Sequence, residues 1–330
     1  QGLDKDEGLW ANKLVEIIVD SNPTGHHLTQ LMGLFRLWGH PEVDAKQGVK
    51  KVRLIGTKRK YISQYASLTA GRKFKEMFYI EYYKKNRRYP QCSVAAECWL
   101  HDILTTDTPL NLKDPQYHLS DWDNVVSQKT LSVPTTFNLS MIVSDTAISP
   151  TREEIVQCSK RGTSSTDPNI RRGVLKWMKD GVIDCQELLE EVAYSDEGLQ
   201  KSERIIGLYP KEREMNPTAR MFALMSLRMR SYVVITENML SENILPYIPG
   251  ITMTYNLLDL AKEMIRSTRG LTNQDEYSRT FCINMDFEKW NLNMRKEGTY
   301  YTFLEIGRLF GMDELYNKTY DLFRNSIIYL

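Results

Sequence analysis

The chain has 330 residues, of which 42% are hydrophobic and 26% are charged, and its formal net charge is +1. This composition is typical of a globular protein and excludes a disordered or fibrous chain. No apolar run approaches the roughly 18 residues that a membrane-spanning helix needs, and the start lacks a secretory leader. We therefore expect a soluble, non-secreted protein. Because the sequence begins with Gln1 and stops inside a patterned segment, we also expect an excerpt from a longer protein.

Cysteine and histidine spacing gives no sign of a disulfide framework or a zinc site. The 5 cysteines contain no C-x-x-C pair, and the 5 histidines show no H-E-x-x-H or similar ligand spacing. We therefore predict reduced, largely buried thiols.

The N-terminal stretch from Leu9 to Leu37 has the periodicity of helix, interrupted by the sequence SNPTG at 21–25. The sequence WGHPEVD follows, and its Gly39 and Pro41 are typical of a turn. This region thus predicts two helices followed by a turn.

The next region, from Lys46 to Arg88, is strongly basic, and only Glu76 and Glu81 oppose its cations. Aromatic residues interleave with the cations: Tyr61, Tyr65, Phe74, Phe78, Tyr79, Tyr82, Tyr83 and Tyr89. Cations that neutralise phosphates and rings that stack on bases suit single-stranded nucleic acid. A solvated helix whose aromatic residues point into a core explains the pattern equally well. The candidate RNA contacts are Lys50, Lys51, Arg53, Lys58, Arg59 and Lys60.

The middle of the chain, from about Asn111 to Asp167, is rich in proline and predicts short elements joined by loops, as an excursion on the surface. Helical periodicity resumes in the sequence RRGVLKWMKDGVIDCQELLEEVA. A loop and then a long amphipathic helix are expected after it.

The loop contains the sequence KEREMNPTAR, in which Lys211, Arg213 and Arg220 are cations and Glu212 and Glu214 alternate with them. Alternate residues of an extended strand point to opposite faces, so one face would be basic and able to meet a triphosphate. A solvated charged loop is the structural alternative.

An apolar run of strand type, Thr280–Met285, leads directly into Asp286, and Lys289, Trp290 and Asn291 follow. A carboxylate at the end of a buried strand is rigid yet exposed, as a Mg²⁺ ligand in phosphoryl transfer must be. Asn291 could bind a sugar hydroxyl, Lys289 could lie near a phosphate, and Trp290 could anchor the turn.

These residues also have structural interpretations. A strand-end aspartate often only caps a turn, Trp290 could be an ordinary core residue, and Asn291 could be a helix cap.

The segments INMDFEKWN, GLFRLWGHPEVDAKQGVKKV, IIGLYPKEREMNPTARMFALMS and YVVITENMLSENILPYIPGITMT occur between Gly33 and Leu330. In sequence and in order they resemble the large (L) polymerase protein of non-segmented negative-strand RNA viruses, most closely that of rhabdoviruses. INMDFEKWN resembles its motif A, and KEREMNPTAR lies in its motif F. The likeness is weakest from Asn111 to Asp167, where only LSDWD matches.

The resemblance implies a role for each matching residue. Asp286 would be catalytic and bind Mg²⁺ (or Mn²⁺), and Asn291 and Lys289 would lie near the incoming nucleotide. Lys211, Arg213 and Arg220 would steady the triphosphate. The supporting residues would be Glu212, Glu214 and Trp290, together with Gly39, His40 and Pro41.

The resemblance also implies an α+β fold in which helix predominates, with the fingers region of a right-hand polymerase at 1–277 and the start of its palm at 278–330. The family's Gly-Asp-Asn motif, which supplies the second metal-binding aspartate, is absent from the sequence. Half of the two-ion site would therefore lie outside this chain, and we expect the 330 residues alone to be inactive. Capping and methyltransferase regions would also lie outside it.

The partners implied are template and product RNA, nucleoside triphosphates, the viral phosphoprotein and the nucleoprotein–RNA complex. The location implied is the host cytoplasm and the virion, with the nucleus in some families. Two alternatives stay open: a non-catalytic RNA-binding module that uses the basic region, and an endogenised viral relic that binds polymerase partners.

Overall fold

The computed structural model describes residues 5–22, 24–32, 42–136, 147–162, 172–181, 183–211, 218–272, 283, 285 and 290–329. Within these residues the fold is mixed α and β, and helix predominates, which confirms the predicted class. The chain forms two compact units: residues 1–48 with 210–220, and residues 49–209 with 221–330.

The helices are α1 (Lys5–Asp20), α2 (Gly25–Met32), α3 (Ala45–Thr57), α4 (Gln64–Asn86), α5 (Leu100–Thr105), α6 (Arg152–Arg161), α7 (Gly173–Asp180), α8 (Cys185–Tyr194), α9 (Leu227–Asn243), α10 (Leu257–Thr272), α11 (Trp290–Asn293), α12 (Lys296–Leu309) and α13 (Lys318–Arg324). The strands are β1 (Cys92–Val94), β2 (Val125–Ser127), β3 (Ile205–Pro210), β4 (Met221–Met225) and β5 (Ile327–Tyr329). Short 3-10 helices span Leu119–Asn124 and Leu245–Tyr247.

The smaller unit contains α1 and α2, which end and begin on either side of the predicted break at 21–25. This confirms the two predicted helices over the described residues. Asp44 lies directly before α3 in this unit, and its side chain accepts a hydrogen bond from the backbone N–H of Gln47 at 2.9 Å. Its carbonyl also accepts a bond from the N–H of Ala219 at 3.3 Å, which holds the end of the segment at 210–220.

The larger unit is built around α4 and α12, which pack directly against each other. Gly71 makes this close approach possible, because a Cβ atom there would lie 2.8 Å from the Cβ of Tyr301. Ser63 caps the start of α4 by accepting a hydrogen bond from the N–H of Ala66. Phe78 and Trp122 are fully buried in the core that surrounds these helices.

A three-stranded sheet, in the order β4-β3-β5, forms a second part of the larger unit. β3 and β5 are parallel, with Ile205 opposite Ile327 and Gly207 opposite Tyr329. Ile205 and Ile206 are buried, so the start of β3 contributes to the core that the sheet covers.

The segment at 111–136 consists of short elements joined by loops, as predicted, and more than half of its residues are exposed, but one part of it enters the core. Trp122 and Val125 are fully buried, and Asp123 pairs with Arg72 of α4. The surface prediction was wrong at these buried positions, because Asp123 and Ser127 bond to side chains of α4 and Lys75 donates to two backbone carbonyls here, so a polar segment can still cover the core.

The apolar run before Asp286 is described only at Ile283 and Met285. Their exposed fractions are 78% and 77%, and neither belongs to a described strand. The predicted burial is therefore wrong at these two positions, because no described strand or helix covers them.

Two further expectations concern thiols and membranes. Cys158 and Cys185 are buried, Cys92 and Cys98 are half-buried, and all of these are free thiols. Among the described residues, no helix is both long enough and apolar enough to cross a membrane.

Candidate nucleic-acid interface

The predicted triphosphate segment joins β3 to β4. The backbone N–H of Lys211 donates to the carbonyl of Arg220 at 2.8 Å, so these two residues lie opposite each other at the base of the connection. Lys211 is half-buried and Arg220 is exposed. Glu212, Arg213 and Glu214 lie outside the described residues, so the predicted basic face is described only at its two ends.

The nucleotide side of the predicted site is also described in part. Asn291 is exposed and lies in the first turn of α11, which begins at Trp290. Asp286 and Lys289 lie outside the described residues, and so do the predicted supporting residues Gly39, His40 and Pro41. Their roles, like that of Asn291, stay predictions.

The candidate RNA-binding cations lie on α3 and on the connection from Lys58 to Ser63, which together we call the basic segment (residues 49–63). All the predicted contacts are exposed: Lys50, Lys51, Arg53, Lys58, Arg59 and Lys60. Lys50 and Arg53 are three residues apart on α3 and share a face, whereas Lys51 projects to another side. Among the described residues, no ion pair engages any of these six cations.

Arg295 ties the basic segment to the chain that follows Asp286. Its guanidinium donates to the carbonyl of Ile55 at 2.8 Å and to that of Lys58 at 3.0 Å. Both carbonyls lie at the end of α3, where backbone acceptors have no partner within the helix. It also donates to the carbonyls of Leu292 at 3.0 Å and Met294 at 2.8 Å. One planar group with several donors therefore fixes the end of a basic helix against the segment of Asn291.

A second contact supports this arrangement. The ammonium group of Lys60 donates to the side-chain oxygen of Asn293, the last residue of α11. Two contacts thus bring together regions more than two hundred residues apart in sequence: the predicted RNA-binding cations and residues that follow the predicted catalytic aspartate along the chain.

The cations of α4 are used differently from those of the basic segment. Most of them have partners within the protein: Arg72 with Asp123, Lys73 with Glu76, Lys84 with Glu81, and Lys85 with the carbonyl of Pro246. Lys85 also lies 4.7 Å from the centre of the Tyr247 ring, a cation–π distance. This part of the basic region has a structural role.

Lys75 shows this role most clearly, because its ammonium group is buried. It donates to the carbonyls of Trp122 and Val125 and lies 3.5 Å from the carboxylate of Glu305 on α12. Glu305 in turn accepts from Arg308 at 2.8 Å and from Ser127 at 3.1 Å. Burial lowers the pKa of Lys75, and the charge of Glu305 opposes that shift. The network joins α4, β2 and α12.

The aromatic residues of the basic region divide in the same way. Phe74, Phe78, Tyr79, Tyr82 and Tyr89 are buried. The core interpretation is therefore correct for these residues, and they cannot stack on bases. Tyr61 and Tyr65 have exposed fractions of 94% and 73%. Tyr83 is half-buried and its ring stacks on that of Tyr89 at 4.7 Å, so the exposed rings of the predicted pattern are those at its beginning.

The described residues do not form a candidate metal site. The described residues contain no group of three or more His, Cys, Asp or Glu side chains that could hold a metal ion. Because Asp286 lies outside them, its binding to Mg²⁺ stays a prediction.

Comparison with known proteins establishes the family. The sequence model described as Mononegavirales RNA dependent RNA polymerase matches residues 3–330. The chain belongs to this polymerase family. The resemblance that the motifs indicated is therefore confirmed.

Relatives of this chain come from several viruses. The RNA-directed RNA polymerase L of Lettuce necrotic yellows virus is 42% identical, over 99% of this chain and 16% of that protein. The RNA-directed RNA polymerase L of Taro vein chlorosis virus is 39% identical, over 95% of this chain and 16% of that protein. The large structural protein of Mokola virus is 30% identical, over 92% of this chain and 14% of that protein. The chain thus spans about 16% of the length of the first two relatives.

Two residues that contact the basic segment, Asn293 and Arg295, were not predicted from the sequence. Their only signal was position, since both follow Asp286 within a few residues and lie next to a helix start. Partners such as Ile55 and Lys58 contribute backbone carbonyls, which leave no trace in a sequence.

Proposed function

We propose that this chain is part of a viral RNA-directed RNA polymerase that transcribes and replicates a negative-strand RNA genome. Its family and the names of its relatives support the proposal. The structural observation that carries it is the pair of contacts made by Arg295 and Lys60, which join an exposed basic segment to the residues after Asp286. A strand of RNA and a reacting nucleotide must meet in this way in any template-directed polymerase.

The proposed reaction is nucleotidyl transfer, in which the 3′-hydroxyl of the growing RNA attacks the α-phosphate of a nucleoside triphosphate and releases pyrophosphate. Asp286 would hold Mg²⁺ (or Mn²⁺), with a second aspartate outside this chain. When bound, two such ions would stabilise the attacking and leaving oxygens. Lys211, Arg213 and Arg220 would bind the triphosphate, and Glu212 and Glu214 would support them.

The remaining roles concern position more than chemistry. Asn291 would bind the ribose and Lys289 a phosphate, while Trp290 would fix the turn between them. The basic segment would bind the RNA backbone, because its cations are exposed and can neutralise phosphates. Catalysis of this kind depends mainly on holding reactants in line and on stabilising charge.

In this proposal, residues 1–277 belong to the fingers of a right-hand polymerase, with Gly39, His40 and Pro41 shaping the region near the template path. Residues 278–330 begin the palm. The partners would be RNA, nucleoside triphosphates, the viral phosphoprotein and the nucleoprotein–RNA complex. The host cytoplasm and the virion would be the places of action.

The proposal is tested by Asp286→Ala in the full-length polymerase. Loss of a metal ligand should remove several kcal/mol of transition-state stabilisation, so we expect nucleotide addition to fall on the order of a thousandfold or more. Asp102→Ala is a matched control, because the side chain of Asp102 is 96% exposed on α5. Primer extension and RNA binding are measured for both variants.

The outcomes separate the proposal from its alternatives. Near-normal synthesis by Asp286→Ala would remove the metal role from Asp286. RNA binding with no nucleotide addition by the unchanged full-length protein would favour a non-catalytic binding module or a relic. The 330-residue chain by itself is expected not to extend a primer, and templated addition by it would contradict that expectation.

A further inference from the structure

A cleft of about 510 Å³ opens between the start of α4 and the first two turns of α12. Its lining consists of Ile62, Gln64, Lys296, Glu297, Tyr300 and Tyr301. The volume lies within the roughly 300–1,000 Å³ typical of small-molecule sites. The lining combines two aromatic rings with an amide, a cation and a carboxylate.

The aromatic part of the cleft is held in place. The two rings of Tyr300 and Tyr301 are 5.3 Å apart and nearly perpendicular, at 81°. The hydroxyl of Tyr300 donates to Glu314 at 3.1 Å, and the hydroxyl of Tyr301 accepts from the amide of Gln64 at 3.3 Å. Burial and the charge of Glu314 raise the pKa of Tyr300, so its phenol stays neutral and keeps this bond. A planar ligand would meet rings that are already positioned.

The polar groups of the cleft match the edge of a nucleobase. Gln64 is exposed at the start of α4 and carries both a donor and an acceptor, while the exposed Glu297 offers acceptors. Lys296 is a half-exposed cation that pairs with Asp321 at 2.8 Å. Recognition of unpaired RNA bases typically combines stacking on aromatic side chains with hydrogen bonds to the base edge.

The cleft is continuous with the basic segment. Ile62 lines the cleft and lies 3.6 Å from the position of a Cβ atom at Gly298 of α12. Lys60, which contacts Asn293, is two residues earlier, so the two Cα atoms are at most about 7.6 Å apart. The side chain of Tyr61 between them is almost fully exposed. A strand whose phosphates contact Lys58, Arg59 and Lys60 would therefore pass beside the cleft.

We propose that this cleft binds one unpaired base of the RNA strand whose backbone is held by the basic segment. This inference rests on the proposed function, since it requires that the basic segment binds RNA. It adds a base-binding site formed by Gln64, Glu297, Tyr300 and Tyr301, with Tyr61 at its rim. The recognised feature is a single base that has left a stack.

The experiment combines protein variants with abasic RNA in the full-length polymerase. A series of single-stranded RNAs carries one abasic position each, and dissociation constants are measured for every strand. In the unchanged protein, one or two positions should weaken binding by about fivefold to 150-fold, the range of a single base–aromatic stack. The same series is measured with Gln64→Leu and with Tyr300→Leu.

In Tyr300→Leu the penalty at that position should fall to about twofold or less, because the base has lost its stacking surface. In Gln64→Leu it should fall by about twofold to tenfold, the range of one hydrogen bond. Tyr300→Phe keeps the ring and should retain most of the penalty. Tyr255→Leu is the matched control, since Tyr255 is an exposed tyrosine outside the cleft, and it should leave the penalty unchanged. Gln64 is exposed, so its variant keeps the test valid if Tyr300→Leu does not fold.

Two failures are distinguishable. If the abasic penalty is absent at every position, or stays as large in Gln64→Leu and in a folded Tyr300→Leu as in the unchanged protein, the cleft does not bind a base. If the unchanged polymerase does not bind RNA, or binds it without any contribution from Lys58, Arg59 and Lys60, the RNA-binding part of the proposed function fails first.

Discussion

The basic segment and α4 are adjacent in sequence and similar in composition, but the protein uses them in opposite ways. In the basic segment the cations and Tyr61 are exposed. Contacts of Arg295 with Ile55 and of Lys60 with Asn293 attach this segment to the rest of the larger unit. In α4 the aromatic side chains form part of the core, and the cations bond to the protein. A mixture of basic and aromatic residues therefore does not by itself indicate a surface for nucleic acid.

The difference has a geometric cause. Phe74, Phe78 and Tyr82 recur every four residues along α4, so they project from one side of the helix, where the rings of Phe78 and Tyr82 contact that of Tyr247. Long basic side chains at the edges of such a face can bury their aliphatic parts and still place the charge next to an acceptor. In the basic segment, by contrast, Lys58, Arg59, Lys60 and Tyr61 lie in a non-helical connection and project into solvent.

The largest effect expected from this comparison concerns the aromatic residues. Phe78→Ala should lower the free energy of unfolding by about 3–5 kcal/mol, because it leaves a cavity among Phe74, Tyr82 and Tyr247. Tyr61→Ala should change the stability by less than about 0.5 kcal/mol, since the ring is almost fully exposed. Urea unfolding of the 330-residue chain measures both. Equal losses would show that the two aromatic residues are not used differently.

The next effect concerns the cations. Lys75→Met should cost about 3–5 kcal/mol, because the two carbonyls of the 122–125 segment lose their donor and Glu305 loses a buried counter-ion. Lys84→Met is the matched control. Its side chain is 60% exposed, and its pairing with Glu81 should contribute at most about 1 kcal/mol. The midpoints of urea unfolding report the contrast, and a stability loss of similar size in both variants would contradict it.

The smallest effect concerns RNA binding and its dependence on salt. Replacing Lys58, Arg59 and Lys60 together with glutamine should reduce the slope of log affinity against log salt concentration by about 2, since each phosphate contact with a single strand contributes about 0.7. The control replaces Lys73, Lys84 and Lys85, three exposed cations of α4 that have partners within the protein. Its slope should change by less than about 0.5. A larger change in the control would make α4 the RNA-binding surface.

Much of the fold and part of the candidate site could be predicted from local pattern. The helical periodicity and the break at 21–25 gave α1 and α2, whereas the loop predicted for the sequence KEREMNPTAR is described only at its ends and stays a prediction. The burial of Trp122 could not be predicted in the same way. It depends on bonds from Arg72 and Lys75, which are about fifty residues away in sequence.

The sequence by itself determined the helix-rich class, and its ordered motifs determined the family, because both are recorded in the identity and spacing of neighbouring residues. Only the tertiary structure decided which cations of the Lys46–Arg88 region are exposed and which are structural. It also decided that Arg295 and Lys60 join the basic segment to the chain after Asp286. The physical reason is that these choices depend on which backbone carbonyls and packed faces distant segments bring to each side chain. Every residue carries a backbone carbonyl whatever its side chain, so such partners cannot be recognised in the sequence.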